Sequence, residues 1–305
     1  MLAGPKGRTR SDGNGAPGLA ADNGAALALA AIMTVAEPML RAAGLLRIDA
    51  LCVGAAGMLA APDAARTLAR QLCALLPATD VAVTSDAITS HAGALSGRPG
   101  VVLAAGTGAV AIGVGADGHM TRADGWGPRL GDEGGGAWIG FQGLQAFVRA
   151  QDGRGPATIL SHAASQRFGP IAGLAAAIEG HANPPQFAAG FAQDVYCAAS
   201  QGDIVASEII SRAAMSLAET VAAAAADIDL RPMNFASVGG LLALGPLLTE
   251  RMLATLRGRL SWLVAVPAEG TALDGAMLLA TDTSTVHEAS LVREGLSDAS
   301  MHPIK

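Results

Sequence analysis

At 305 residues, with 51% hydrophobic and 15% charged residues, the chain is long enough to bury two cores of ordinary domain size. Its formal net charge of −6 and its scattered arginines exclude the basic surface typical of nucleic-acid-binding proteins. Only two lysines occur, Lys6 and Lys305, and no G-x-x-x-x-G-K-[ST] sequence is present, which excludes a P-loop phosphate site.

The first 100 residues predict a parallel β-α-β unit. Residues 1–19 are rich in turn-forming residues and predict at most one short strand, and residues 22–44 predict a helix. A buried strand over 48–57, a helix over 61–76 and a second buried strand over 80–87 follow. Strand, helix and strand at this spacing are typical of parallel pairing.

The rest of the chain predicts a second α/β domain. After a linker at 96–100, two strands and a turn over 101–127 predict a β-meander. Residues 141–230 predict mostly helix, 234–248 a strand, a Gly-Gly turn and a helix, and 260–280 a last strand and a closing helix.

The expected domain boundaries follow from these elements. We expect an N-terminal domain over 1–97, a C-terminal domain with a helical insertion over 98–282, and a loose polar tail over 283–305. Three widely spaced cysteines set among apolar residues predict buried thiols in a reducing compartment. Without a secretory leader or an uninterrupted apolar run of about 18 residues, we expect a cytoplasmic protein with no membrane partner.

The sequence "AAGTGAVAIG" superficially matches the dinucleotide fingerprint G-x-G-x-x-A, which requires a helix after the glycines. Here a β-branched, strand-like run follows, so the dinucleotide fold is excluded. Gly106, Thr107 and Gly108 instead predict a tight hairpin tip whose backbone N–H groups and hydroxyl can approach a phosphate. An ordinary hairpin turn explains the same residues.

A second glycine pair, Gly239 and Gly240, stands between a predicted strand and a predicted helix. Bare backbone at this position can lie flat against an adenine or a ribose. The alternative is a tight strand-to-helix turn without a ligand.

Asp86 ends the strand predicted over 80–87. A carboxylate at the carboxyl edge of a parallel sheet is where a general base is commonly placed. Either Ser85 or Asp86 can equally cap the next helix, so both interpretations stay open.

The stretch "DGWGPRLGDEGGGAWIG", residues 124–140, contains seven glycines. Because each glycine costs about 0.5–1 kcal/mol in regular structure, their number indicates that something approaches the backbone closely. A polyhydroxylated ligand fits, since Asp132 and Glu133 can accept hydrogen bonds from hydroxyls and Trp126 offers an apolar face. A flexible glycine loop is the alternative.

These two segments, "GTGAVAIG" and "DGWGPRLGDEGGGAWIG", together resemble the BadF/BadG/BcrA/BcrD-type ATPase family. Within it they are most similar to the N-acetylglucosamine and glucosamine kinases. The resemblance extends over about residues 12–282 and includes "SVGGLL" as an adenosine motif. It implies an α/β fold of the actin-like, hexokinase-like type: two ribonuclease-H-like domains with a nucleotide cleft between them.

The resemblance also implies roles for particular residues. Asp86 would be the catalytic base that accepts the proton of the attacking sugar hydroxyl. Gly106, Thr107 and Gly108 would bind the phosphates of ATP, supplied with Mg²⁺, and Gly239 and Gly240 would border the adenosine. Gly125, Trp126 and Asp132 would line the sugar pocket. No residue is assigned to a resident metal, and a homodimer is an expected form.

The chain departs from the family pattern at its N-terminus. The family begins with a strand and a D-G-G-G-T loop, the first phosphate site, and "SDGNG" is a poor substitute. We therefore expect a first domain that lacks its central first strand, either because the gene starts upstream or because this copy is impaired. The resemblance places the family's sugar-contacting Asn near Pro17, where this sequence reads "GAPG", which leaves glucosamine or another hexose open as the substrate.

Two other functions stay open beside an amino-sugar kinase. One is the ATPase activator of a dehydratase or reductase, which would carry cysteines for an iron–sulfur cluster in a Cys-Gly-Gly pattern that this sequence lacks. The other is a sugar-binding protein without catalytic activity, which the absent phosphate loop favours. A repressor is disfavoured because there is no room for a helix-turn-helix before residue 20.

Overall fold

The computed structural model describes residues 1–4 and 7–295, and the chain forms two compact units. Of the described residues, the first unit comprises 1–4, 7–99, 114–119 and 268–295, and the second comprises 100–113 and 120–267. These units differ from the expected domains. Residues 114–119 and the closing helix, both expected in the second domain, lie in the first unit.

The first unit contains a three-stranded sheet and a separate hairpin. Its elements are β1 (Leu2–Gly4), β2 (Gly7–Thr9), α1 (Gly24–Ala43), β3 (Ile48–Gly54), α2 (Pro62–Leu75), β4 (Ala78–Thr84), α3 (Asp86–Ala94), α11 (Ala272–Thr281) and β10 (Val292–Gly295). The sheet order is β10-β4-β3, with β3 parallel and β10 antiparallel to β4. β1 and β2 pair with each other in an antiparallel hairpin.

The predicted β-α-β unit is confirmed as β3-α2-β4. Pro62 occupies the first turn of α2, where its missing N–H costs no helical hydrogen bond, and Asp63 lies at the positive end of the helix dipole. Leu68 and Leu72, four residues apart, are fully buried, so one face of α2 packs into the core of the unit.

Among the described residues β3 pairs only with β4, so it is an edge strand. A cavity of about 490 Å³ lies beside it, lined mainly by apolar side chains of α1, β3 and α11. Asp86 also reaches the wall of this cavity. The absence of the family's first strand from this domain stays a prediction.

Helices α3 and α11 are in backbone contact because each carries a glycine where they meet. A Cβ atom at Gly93 would lie 1.9 Å from the carbonyl oxygen of Thr271, and one at Gly275 would lie 2.0 Å from that of Thr89. Both distances are far shorter than any van der Waals contact. Because of this contact between two helices that are far apart in sequence, the closing helix lies in the first unit.

The segment after α11 is ordered up to residue 295, so the expectation of a loose tail is wrong for 283–295. Val292–Gly295 pairs with β4, and the Arg293 guanidinium contacts Asp80, Glu288 and the carbonyl oxygen of Leu279. The expectation was based on polarity alone, but these polar groups find partners in the sheet. Residues 296–305 of the predicted tail lie outside the described residues.

The second unit is a five-stranded sheet with many helices. Its elements are β5 (Gly100–Ala105), β6 (Ala109–Val114), β7 (Met120–Asp124), α4 (Gly136–Gln151), α5 (Leu160–Phe168), α6 (Leu174–Glu179), α7 (Pro184–Ala189), α8 (Ala192–Ser200), α9 (Ile204–Ala226), β8 (Met233–Val238), α10 (Pro246–Arg259) and β9 (Leu263–Ala265). The sheet order β7-β6-β5-β8-β9 confirms the predicted meander, and β8 is parallel to both β5 and β9. Phe147, Phe191 and Leu217 are among its fully buried side chains.

Two helices, α1 and α9, are long and apolar enough to span a bilayer by length and composition alone. One or two such helices are a weak indication: 56% of the apolar window of α9 is buried inside the protein, as in an ordinary core helix, and 11% of that of α1 is buried. The cytoplasmic location stays a prediction. The three cysteines are free, but Cys197 is exposed, so the prediction of buried thiols is wrong for that residue.

Candidate functional site

The Gly106-Thr107-Gly108 turn joins β5 to β6 at the carboxyl end of β5 in the second unit's sheet. The Gly106 N–H donates to the Gly108 carbonyl oxygen at 2.9 Å, which closes the turn. The half-buried Thr107 hydroxyl lies 3.3 Å from Gln186 Oε1 at the start of α7. The predicted hairpin tip is therefore confirmed as a structure, and it presents a hydroxyl that has only a long, weak hydrogen bond.

Gly239 and Gly240 follow β8 at the same edge of the sheet. Because β8 is parallel to β5, with Val238 beside Ala104, the ends of both strands meet there. A Cβ atom at Gly239 would lie 2.1 Å from the Ala105 carbonyl oxygen, so only glycine fits. The structure thus brings together the two segments singled out for a nucleotide, at the carboxyl edge where open α/β sheets bind ligands.

The glycines after Asp132 approach the Gly106-Thr107-Gly108 turn. The Gly136 N–H donates to the Gly106 carbonyl oxygen at 2.9 Å, and a Cβ atom at Gly135 would lie 2.8 Å from the Gly108 carbonyl carbon. The expectation that a ligand requires this bare backbone is therefore wrong at these positions. The neighbour is another turn of the protein.

Two further glycines of the block are explained by helix packing. A Cβ atom at Gly134 would lie 2.5 Å from the Ala213 carbonyl oxygen of α9, and one at Gly140 would lie 1.8 Å from that of Ala188 in α7. Gly127 differs, since a Cβ atom there would meet nothing within 4 Å. Of the seven glycines in this block, Gly127, in the loop before Asp132, is the one whose backbone is open to a ligand.

That loop is held at its two ends by one carboxylate, Asp124. Its oxygens accept hydrogen bonds from the N–H groups of Gly125 at 2.7 Å, Asp132 at 2.6 Å and Glu133 at 2.9 Å. Asp124 and Asp132 both have left-handed backbones, with φ of 61° and 57°. Three charge-assisted hydrogen bonds offset the cost of these conformations and fix the shape of the loop.

The three residues predicted to line the sugar pocket lie on or beside this loop. A Cβ atom at Gly125 would lie 2.9 Å from Val110, so this glycine has a packing role. Trp126 is 67% exposed, with the Arg122 guanidinium 4.8 Å from its ring centroid. Its indole is thus available to solvent, as a sugar platform requires.

Asp132 lies between the loop and the phosphate candidate. Its carboxylate packs against Gly108, where a Cβ atom would lie 2.5 Å from Oδ2. Burial raises the pKa of Asp132, and the neighbouring Asp124 charge raises it further, while backbone hydrogen bonds from Ala109 and Gly127 lower it. The Asp132 carboxylate is therefore close both to the Gly106-Thr107-Gly108 turn and to the loop held by Asp124.

Asp86 belongs to the first unit and is the first residue of α3. The helix is capped by Ser85, whose hydroxyl accepts the Ala87 N–H at 3.2 Å. The exposed Asp86 carboxylate accepts the same N–H at 2.9 Å and the Ser85 hydroxyl at 3.1 Å. Because Ser85 is the cap, the helix does not need Asp86 for that purpose.

The family model for the BadF/BadG/BcrA/BcrD ATPases matches residues 18–280, which is most of the chain. The chain belongs to the BadF/BadG/BcrA/BcrD ATPase family. The family resemblance inferred from the two glycine-rich segments is thus confirmed.

Two relatives are similar to part of this chain. An N-acetylmuramic acid/N-acetylglucosamine kinase of Clostridium acetobutylicum is 33% identical over 112 residues, which are 37% of this chain and 36% of that protein. An N-acetyl-D-glucosamine kinase of Dictyostelium discoideum is 31% identical over 115 residues, with the same coverage of 37% and 36%. The aligned part of the chain therefore spans little more than a third of these relatives.

Two solved structures match a larger share of this chain than these two relatives do. A candidate N-acetylglucosamine kinase from Chromobacterium violaceum has a TM-score of 0.69 at 27% identity, covering 88% of each chain. One from Porphyromonas gingivalis has a TM-score of 0.58 at 14% identity, covering 82% of this chain and 81% of that one. The expectation of an α/β fold of the actin-like sugar-kinase type is confirmed.

Two further residues, Gln186 and Asp124, contact the candidate site and were not predicted from the sequence. Gln186 is one, because its contact with Thr107 joins positions 79 residues apart. Asp124 is the other. Its signal was present, since an Asp directly before a Gly-rich loop commonly accepts backbone N–H bonds.

Proposed function

We propose that this protein is an ATP-dependent sugar kinase that transfers the γ-phosphoryl group of ATP to a hydroxyl of an amino sugar, N-acetylglucosamine or glucosamine. The observation that carries the proposal is the meeting of the Gly106-Thr107-Gly108 turn with Gly239 at one sheet edge, with the Asp132 carboxylate packed against the turn. Two relatives in the family are kinases of such sugars, which supports the same substrate class.

The proposed reaction assigns each part a task. Asp86 accepts the proton of the attacking hydroxyl, whose oxygen bonds to the γ-phosphorus while the bond from that phosphorus to the bridging oxygen breaks, and ADP leaves. The N–H groups and hydroxyl of the turn at Thr107 hold phosphate oxygens, and Gly239 and Gly240 border the adenosine. Gly125, Trp126 and Asp132 bind the sugar.

Mg²⁺ enters this scheme as part of the MgATP substrate. No group of three or more His, Cys, Asp or Glu side chains suited to a metal ion occurs in residues 1–4 and 7–295. Magnesium typically takes most of its ligands from water and substrate phosphates, so a dedicated protein cage is not required.

A second candidate function is a sugar-binding protein without turnover. It is favoured because the 305 residues contain no D-G-G-G-T segment, to which the family resemblance assigns a first phosphate site. A homodimer and a cytoplasmic location complete the proposal for either function.

A coupled ADP-release assay over a panel of amino sugars tests the proposal. We expect turnover with N-acetylglucosamine or glucosamine, and a loss of about 10²- to 10⁴-fold in Asp86→Asn with sugar binding largely kept. Sugar binding without ADP release in the wild type would favour the second candidate. Unchanged turnover in Asp86→Asn would remove this residue from the mechanism.

A further inference from the structure

The segment between α11 and residue 295 contacts the protein on both sides of Asp86. On the side before it, the Thr84 hydroxyl donates to the Ser290 carbonyl oxygen at 2.8 Å. On the side after it, His91 Nδ1 lies 2.8 Å from His287 Nε2. Thr84, His91 and His287 are all completely buried.

These contacts connect chain segments that lie far apart in sequence. Thr84 ends β4 two residues before Asp86, and His91 lies on the helix that Asp86 begins. The partner residues 287 and 290 are about 200 positions later, with separations of 196 and 206 residues. We call residues 284–295 the C-terminal segment.

The C-terminal segment has its own firm attachment. β10 pairs with β4 from Val292 beside Val83 to Gly295 beside Asp80. The Arg293 guanidinium, only 18% exposed, donates to Asp80 at 2.6 Å and to Glu288 at 2.6 Å. A segment attached in this way holds the residues it contacts in place, because partly buried charge-assisted hydrogen bonds have defined geometry.

We propose that the C-terminal segment is a positioning element for Asp86, acting through the Thr84–Ser290 and His91–His287 contacts. This inference rests on the proposed role of Asp86 as the base. The Asp86 carboxylate itself is exposed and bonded only to its immediate neighbours Ser85 and Ala87 in the described contacts. The orientation of the Asp86 carboxylate therefore depends on the turn between β4 and α3, and the C-terminal segment holds this turn through contacts before and after Asp86.

Thr84→Val is the test, because it removes the hydroxyl while keeping the side-chain shape. We expect kcat for the sugar to fall at least about 10-fold with the KM values for sugar and ATP within about 2-fold, since a displaced base affects the transition state more than binding. Thr84→Ser should restore kcat, because it keeps the donor. The matched control is Thr220→Val, which removes another buried Thr hydroxyl bonded to a backbone carbonyl, that of Ser216 in α9.

The outcomes separate this inference from the proposed function. If Asp86→Asn abolishes turnover while Thr84→Val leaves kcat unchanged, or if Thr220→Val lowers kcat equally, the positioning role is refuted and the kinase proposal stands. If Asp86→Asn has no effect, the proposed base is wrong and the inference falls with it.

Hydrogen exchange serves where wild-type turnover is too slow for kinetics. We expect amides of residues 85–91 to exchange at least about 10-fold faster in Thr84→Val and in His287→Gln than in the wild type and Thr220→Val. Unchanged exchange in that peptide would also refute the positioning role.

Discussion

Acid should destabilise this protein through one buried histidine, His287. Burial, together with the neighbouring His91, lowers the pKa of His287 from 6.5 to about 3. The reason is physical: a charged imidazole would lose its hydration in this buried position, and the ring of His91, only 2.8 Å away, disfavours a further positive charge.

The sign and size of the effect follow from linkage. Since the folded-state pKa lies below that of the unfolded chain, the unfolded chain binds the proton first, and the stabilising contribution is complete only above about pH 6.5. It decreases as the pH falls from there towards 3. At about pH 5, roughly 1.5 pH units below the unfolded value, the free energy of unfolding is lowered by about 2 kcal/mol.

Urea unfolding followed by far-UV circular dichroism, at about pH 8 and about pH 5, measures this loss. We expect the wild type to lose about 2 kcal/mol more than His287→Gln between these pH values, because glutamine does not titrate. His162→Gln, at an exposed position, is the control and should follow the wild type. Equal pH dependence in the wild type and His287→Gln would refute the reasoning.

Four further predictions concern packing and the site. Gly275→Ala should destabilise the protein by about 1–3 kcal/mol in urea unfolding, because its Cβ atom would overlap a backbone carbonyl. The control Gly258→Ala, whose Cβ atom would have nothing within 4 Å, should be neutral or stabilising by up to about 1 kcal/mol. Equal effects of the two substitutions would contradict the close contact between α3 and α11. Thr107→Ala should raise the KM for ATP more than that for sugar, and the reverse order would exclude the phosphate role. Asp124→Asn should weaken sugar binding about 10-fold in calorimetry, because an amide group cannot accept all three loop N–H hydrogen bonds that Asp124 accepts. Unchanged binding would show that the loop keeps its shape without them. Adding an upstream strand with a D-G-G-G-T loop should greatly raise ADP release over that of the 305-residue chain, and equal ADP release with and without the added segment would contradict the expected phosphate role of that loop.

Features that depend on neighbouring residues were predictable from the sequence. The β3-α2-β4 unit follows from two apolar runs around a helix that begins at Pro62, and the turn at Thr107 follows from two glycines between β-branched runs. The family assignment was also available, because Asp132 and Glu133 occur within an unusually specific glycine pattern. In each case adjacent side chains and backbone preferences determine the structure.

Features that depend on distant residues were decided only by the tertiary structure. The polarity of residues 283–295 suggested a loose tail, yet His287 is completely buried against a histidine 196 positions earlier. The glycines at 135 and 136 suggested a ligand, yet they approach the backbone of another turn. Local sequence shows that a polar group or a bare backbone needs a partner, but only the packing of the folded chain determines which partner it meets.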